Sequence, residues 1–283
     1  MLSALLGLVG ATIYGASDFF GGIAAKSMSA ITVTAINSVA GFMLLALGML
    51  VFPPRWSEGA LLTGVLSGLA GAAALGLLYA CLALGPMSIL SPIMALVAAV
   101  IPIAVGFARG ERLSIAGNIG LLIGLVAIIL ICFVPGAGAL RPSGRGISMA
   151  VAAGVAIGAY LVVIDLSPVD SGPAPLVVCF AVTGLVMGAI VLVRSLGRRE
   201  PRVGTARPAV LFAILCGLTD AAAAFLFLLA LRAGDLSVVS VLNALAPAGT
   251  IVLASIVLKE RIAIVQWTGL LFALVSAALL ALA

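Results

Sequence analysis

Apolar residues run through this chain in blocks about twenty long, and the polar positions between them come as short clusters built on Gly, Pro, Arg and Glu. A helix needs about 20 mostly apolar residues to cross about 30 Å of hydrocarbon. The pattern predicts ten such segments: 3–24, 31–52, 60–83, 88–107, 114–134, 146–165, 174–194, 209–230, 236–257 and 263–282. The connections are too short to hold a soluble domain. The longest polar stretch, Arg194 to Pro208, carries five arginines and one glutamate and reads as a linker between hairpins.

Within this pattern one unit occurs twice. Gly85 to Leu125 laid on Gly234 to Leu274 without a gap gives 13 identities in 41 positions, where so biased a composition would give about a tenth by chance. The matches include polar positions: Ser88 with Ser237, Ser91 with Ser240, and Glu111-Arg112 with Glu260-Arg261. Equivalent points are five spans apart. Each crossing reverses direction, so the second copy is expected upside down. The expected architecture is an all-α integral membrane protein with ten transmembrane helices, arranged as two inverted five-helix repeats, 1–138 and 139–283, around a central cavity. Inverted repeats of this kind build alternating-access transporters, whose site lies at the repeat interface.

Composition supports the membrane reading: 64% of residues are hydrophobic and 8% charged, against roughly a quarter charged in soluble domains. The net charge of +5 is spread over helix-joining loops, which argues against nucleic acid as a partner. Ten of the fourteen basic residues fall in the odd connections (first to second span, third to fourth, and so on), and Arg55, Arg109, Arg112 and Arg232 in the even ones. Taken alone, that count puts the odd connections in the cytoplasm and both termini outside. The first 25 residues lack a basic amino-terminal region and a cleavage site, and are read as a retained span. Cys81, Cys132, Cys179 and Cys216 show no CxxC pairing and read as small buried side chains.

Few residues break the apolar runs, and these are the candidates for chemistry. Asp220 lies near the middle of the eighth span, where a carboxylate costs about 2.5 to 3.5 kcal/mol on insertion scales and marks a functional site by default. It suits a substrate ammonium, proton coupling, or a bond between helices. Asp18, nearer a span end, is read the same way. Asn37 needs a hydrogen-bond partner inside hydrocarbon. The first span sets Gly7, Gly10, Tyr14, Ser17 and Gly21 on one stripe, and the repeated unit sets Ser88, Ser91, Ala95 and Ala99 against Ser237, Ser240, Ala244 and Ala248. Such small-residue faces serve close packing or border a cavity. Pro92, Pro102 and Pro247 are expected to kink their helices and to serve in gating. The expected cavity lining is Tyr14, Asn37, Tyr79, Ser91, Tyr160, Asp220 and Asn243. Asp165 and Asp170 are expected to be solvated.

Ten spans in two halves, Tyr14-Gly15 in the first, Leu258-Lys-Glu260-Arg261-Ile followed by Gln266-Trp267-Thr-Gly269, and the first-half copy Arg109-Gly-Glu111-Arg112-Leu followed by Gly117-Asn-Ile-Gly120 together resemble the EamA branch of the drug/metabolite transporter superfamily. Within it the chain looks most like YddG-type bacterial amino-acid exporters. The resemblance implies a basket of ten helices, with a cavity framed by the third, fourth, eighth and ninth spans. It implies outward movement of aromatic or small neutral amino acids and related metabolites across the bacterial inner membrane. It also implies cytoplasmic termini, against the charge count. The chain departs from the pattern at Tyr14 and Ile157, where many relatives carry Trp.

An importer or exchanger of the same fold is the second reading. An intramembrane enzyme is disfavoured, since the chain has no histidine, no HExxH and no GxSxG. A channel is disfavoured by the absence of a charged ring or filter motif. No GxxxxGK[ST] loop is present, so no direct use of ATP is expected. No metal site and no cofactor are expected; the partners are a small-molecule substrate and the lipid bilayer.

Overall fold

The computed structural model describes residues 1–82, 87–132, 143–197, 207–259 and 262–282, and within these the side chains of 78–82, 87–89, 91, 92 and 197 lie outside the described set. The described residues form eleven α-helices: α1 (Leu2–Ala25), α2 (Ala30–Gly48), α3 (Glu58–Leu82), α4 (Met87–Ala108), α5 (Ile115–Cys132), α6 (Gly144–Asp165), α7 (Ala174–Gly197), α8 (Arg207–Ala233), α9 (Leu236–Ala244), α10 (Ala246–Val257) and α11 (Ile264–Ala281). Apolar runs of this length become helices because lipid offers no hydrogen bonds, so each backbone N–H and C=O must find its partner within the segment. Nine stretches among the described residues are long and apolar enough to span a membrane. Their bounds fall within about a turn of those expected.

The ninth span differs from the single helix expected. It breaks at Leu245 into α9 and α10, with Pro247 in the first turn of α10. Proline has no N–H to return to the carbonyl four residues back, so the helix is interrupted in mid-span. Pro102 has no such effect: it is buried in an α4 that runs on to Ala108. Pro92 lies outside the described side chains.

Elsewhere the ends are set by local chemistry. Ser29 caps α2 by accepting from the Thr32 N–H at 3.2 Å, and Ser143 caps α6 by accepting from the Gly146 N–H at 3.1 Å. The turns after α4 and α10 each place one residue in the left-handed region, Gly110 (φ 93°) and Lys259 (φ 56°), which are equivalent positions of the repeated unit.

Small residues set the packing. A Cβ at Gly64 or Gly68 would meet Val178, Cys179 and Val182 of α7, and one at Gly154 or Gly158 would meet Met94, Val97 and Ile101 of α4. The spaces these glycines leave are filled by neighbouring helices, which is how helices associate where lipid supplies no hydrophobic drive between them. The partnerships repeat between halves. α1 packs on α8 and α10 as α6 packs on α3 and α4, and α2 packs on α7 and α8 as α7 packs on α2 and α3. α4 meets α9, and α5 meets α11. The central core holds Ile164, Leu176, Phe227, Leu228, Leu236 and Val239. Large apolar side chains such as Leu5, Val9, Leu62, Leu122, Leu185 and Leu274 are left exposed on the outside, a surface suited to lipid.

Candidate functional site

Three of the expected lining residues, Tyr14, Tyr160 and Asn243, meet around one cavity among the described residues, together with Ile157, Leu161, Ile164, Ala224, Phe227 and Leu231. Its volume is about 30 Å³, enough for one or two waters. Tyr14 comes from the middle of α1, Tyr160 from α6, and Asn243 from the last turn of α9, next to the break. The Tyr14 ring stands edge-on to Phe227, with centroids 6.2 Å apart, an arrangement that aromatic quadrupoles favour.

Asn37 and Asp220 lie beside this cavity and connect to it through Tyr14. The Asn37 amide and the Tyr14 hydroxyl both lie close enough to the Asp220 carboxyl to act on it. Asn37 Nδ2 also donates to Cys216 Sγ at 3.2 Å, and Ser17 Oγ donates to the Cys216 carbonyl at 2.9 Å. Asp18 is within electrostatic reach of Asp220. A polar cluster from α1, α2 and α8 thus adjoins the largely apolar pocket. Tyr79 and Ser91 lie outside the described side chains.

The cavity is closed differently toward its two ends. Asp18 is exposed, yet it sits nine residues, two and a half turns, from the outward-facing Val9 and so points to the opposite side of α1. α1 and α10 touch where a Cβ on Gly15 would lie 2.5 Å from the Ala246 carbonyl oxygen, and where Thr250 Oγ1 donates to the Gly15 carbonyl at 3.0 Å. By Gly22 a Cβ would meet nothing within 4 Å. Gly22 lies two turns on along the same face of α1 as Gly15, so the close contact with α10 is not continued toward the Lys26 end.

The other end is tied across four connections. Glu111, just after α4, accepts from the Leu236 N–H (2.8 Å), the Ser237 N–H (3.1 Å) and Ser237 Oγ (2.5 Å), and so occupies the N-terminus of α9. Arg109 donates to Asp165 at 2.5 Å, with the Asp165 side chain 18% exposed; a partly buried ion pair replaces the solvated carboxylate expected there. Arg232 donates to Ser171 Oγ (3.1 Å) and to the Gly172 carbonyl (2.9 Å), and Arg55 pairs with Asp170 at 3.5 Å in the open. Asp235 precedes α9 without capping it. Partial burial, and then the neighbouring charge of Glu111, hold its carboxyl above the ordinary range.

Sequence reasoning did not find the role of Glu111, although the Glu-Arg pair shared by both repeats was its signal. It also did not find the apolar lining, because Phe227 or Leu161 in an apolar span looks like any other position. Ser237 and Ser240 of the small-residue stripe are fully buried, and Ser240 Oγ donates back to Leu236 O at 2.6 Å. Cys179 and Cys216 are buried free thiols, and no group of metal-ligating side chains occurs among the described residues.

The EamA-like transporter family matches this chain twice, over residues 1–133 and 144–282. The chain belongs to that family. Its members are membrane transporters rather than enzymes, and the multi-pass helical architecture agrees. A solved crystal structure superposes with a TM-score of 0.75 at 19% identity, covering 99% of this chain and 97% of the other. That likeness establishes a shared fold. No curated protein matches.

Proposed function

We propose that this EamA-family protein is a secondary transporter that exports amino acids, aromatic or small neutral, and related metabolites across the bacterial inner membrane by alternating access. The observation that carries the reading is the cavity where Tyr14, Tyr160 and Asn243 meet, tied shut toward Glu111. Its present volume holds water only, whereas ligand sites run to about 300 Å³ or more. Substrate binding therefore requires the helices around it to part, and the contact of α1 with α10, close at Gly15 and absent at Gly22, is where we place that opening.

The two units in this reading are inverted five-helix repeats, 1–138 and 139–283. The mirrored helix partnerships, the left-handed turns at Gly110 and Lys259, and the meeting of the end of α4 with the start of α9 all support that relation. Rocking one unit against the other would open the Glu111 end while closing the Asp18 end. The remaining expected site residues, Asn37, Tyr79, Ser91 and Asp220, belong to the same proposed pocket, with Asp18 as a second carboxylate and Pro247 at the flexible break. The test is counterflow in proteoliposomes across a panel of amino acids. Saturable exchange that is lost in a folded Asp220→Asn variant supports the proposal, and unsaturable flux contradicts it.

A further inference from the structure

Among the described residues, every basic side chain lies in a connection or in the terminal turn of a helix, and the charged side chains in the interior of the spans are Asp18 and Asp220. The two carboxylates are near enough to act on each other electrostatically. Asn243 stands at the C-terminal end of α9, where a helix presents its negative dipole pole. Pro247 lacks the N–H that an unbroken helix would return to the Asn243 carbonyl. The N-terminal turn of α10 offers a carboxylate little: Pro247 has no donor, the Ala248 N–H bonds to the Leu245 carbonyl at 2.9 Å, and the turn packs on the backbone of α1 at Gly15. Arg109, at the Glu111 end, is engaged with Asp165, and Arg232 holds the Ser171–Gly172 turn through Nη2, with its buried Nε left without a partner among the described residues, in the last turn of α8 and away from Asp220.

From this arrangement we infer that the site selects organic cations, primary amines bearing an apolar or aromatic body and no carboxylate, over the zwitterionic amino acids of similar shape. An ammonium group meets Asp220 with Asn37 and Tyr14 as neighbours, while the hydrocarbon part meets Phe227, Leu161 and Ile164. A zwitterion brings the same ammonium together with a carboxylate that finds no cationic partner among the described residues around the pocket, and an unpaired charge in low dielectric is strongly disfavoured. The inference rests on the transporter reading above and moves its preferred substrate from the amino acids to the amines among the related metabolites.

Phenethylamine and phenylalanine form a matched pair that differs by the carboxylate alone. In proteoliposomes containing the whole protein, the expected result is that phenethylamine is exchanged, and competes at a concentration at least tenfold lower than phenylalanine. Asp220→Asn and Asp18→Asn, each shown by size-exclusion chromatography to remain a monodisperse folded protein, are expected to bring the ratio to within about threefold of unity. If Asp220→Asn fails to fold, Asp18→Asn carries the test. Phenylalanine preferred over phenethylamine, or a ratio unchanged in the folded variants, overturns the inference and leaves the transporter reading standing. Neither compound bound nor moved, with every other amino acid and amine also inert, overturns both.

Discussion

Glu111 is the residue whose removal has the most direct structural consequence. Its carboxylate takes three hydrogen bonds at the start of α9, from the Leu236 and Ser237 N–H groups and from Ser237 Oγ. Fully buried, each bond to a charged group is worth about 1.5–3 kcal/mol. The site is partly buried and the bonds share one acceptor group, so a lower total applies: losing a helix cap costs about 0.5–2 kcal/mol and losing an anion at a helix N-terminus up to about 2 kcal/mol. Glu111→Ala should therefore destabilise the protein by about 2–3 kcal/mol. Glu111→Gln, which loses the charge but keeps an oxygen acceptor, should cost about 1 kcal/mol. At roughly 2–4 °C per kcal/mol, thermal unfolding in detergent should fall by about 4–12 °C for Ala and about 2–4 °C for Gln. Ser237→Ala removes one of the three bonds, so combining it with Glu111→Ala should cost less than the sum of the two changes. An alanine variant within 1 °C of the parent, or strict additivity with Ser237→Ala, would refute the assignment.

Gly15→Ala places a methyl against the Ala246 carbonyl oxygen and Gly249 Cα; overpacking of this kind costs about 1–3 kcal/mol, and thermal unfolding together with transport should both fall, whereas Gly22→Ala, with open space around it, should change neither. For the Arg109–Asp165 pair, removing one partner leaves the other charge partly buried, so each single alanine change should lower the unfolding temperature more than the double change does. Asp235 carries a folded-state carboxyl held above its ordinary range by partial burial and by Glu111. Its charged form is thus disfavoured by the fold, and stability should rise as pH falls through its titration. Asp235→Asn should raise stability at neutral pH and remove that part of the pH dependence, as measured by unfolding temperature from pH 4 to 8.

The spans were legible because lipid imposes one rule on every backbone group, so length and apolarity suffice to place them. Tyr14, Tyr160 and Asn243 were legible for a related reason: a polar group inside hydrocarbon stands out and must face protein or water. Phe227, Leu161 and Ile157 carry no such mark, since in an apolar span a residue lining a cavity and one lining a contact have the same composition. Tertiary partners were hidden for want of local signal. Glu111 and Ser237 are 126 positions apart and Arg109 and Asp165 are 56 apart, and only the fold brings them together. The break at Leu245 was half visible, because Pro247 announced an interruption without saying that the helix would end and restart.

The relation between the two halves underlies the cavity, its two closures and the proposed motion, and single-cysteine labelling tests it most directly. Arg112→Cys and Lys259→Cys, each placed in a background without the four native cysteines, report the turns after α4 and α10, both exposed. With a membrane-impermeant maleimide applied to oriented vesicles, the account predicts that one position labels from outside and the other only after the membrane is opened. Labelling of both positions from the same side would contradict it.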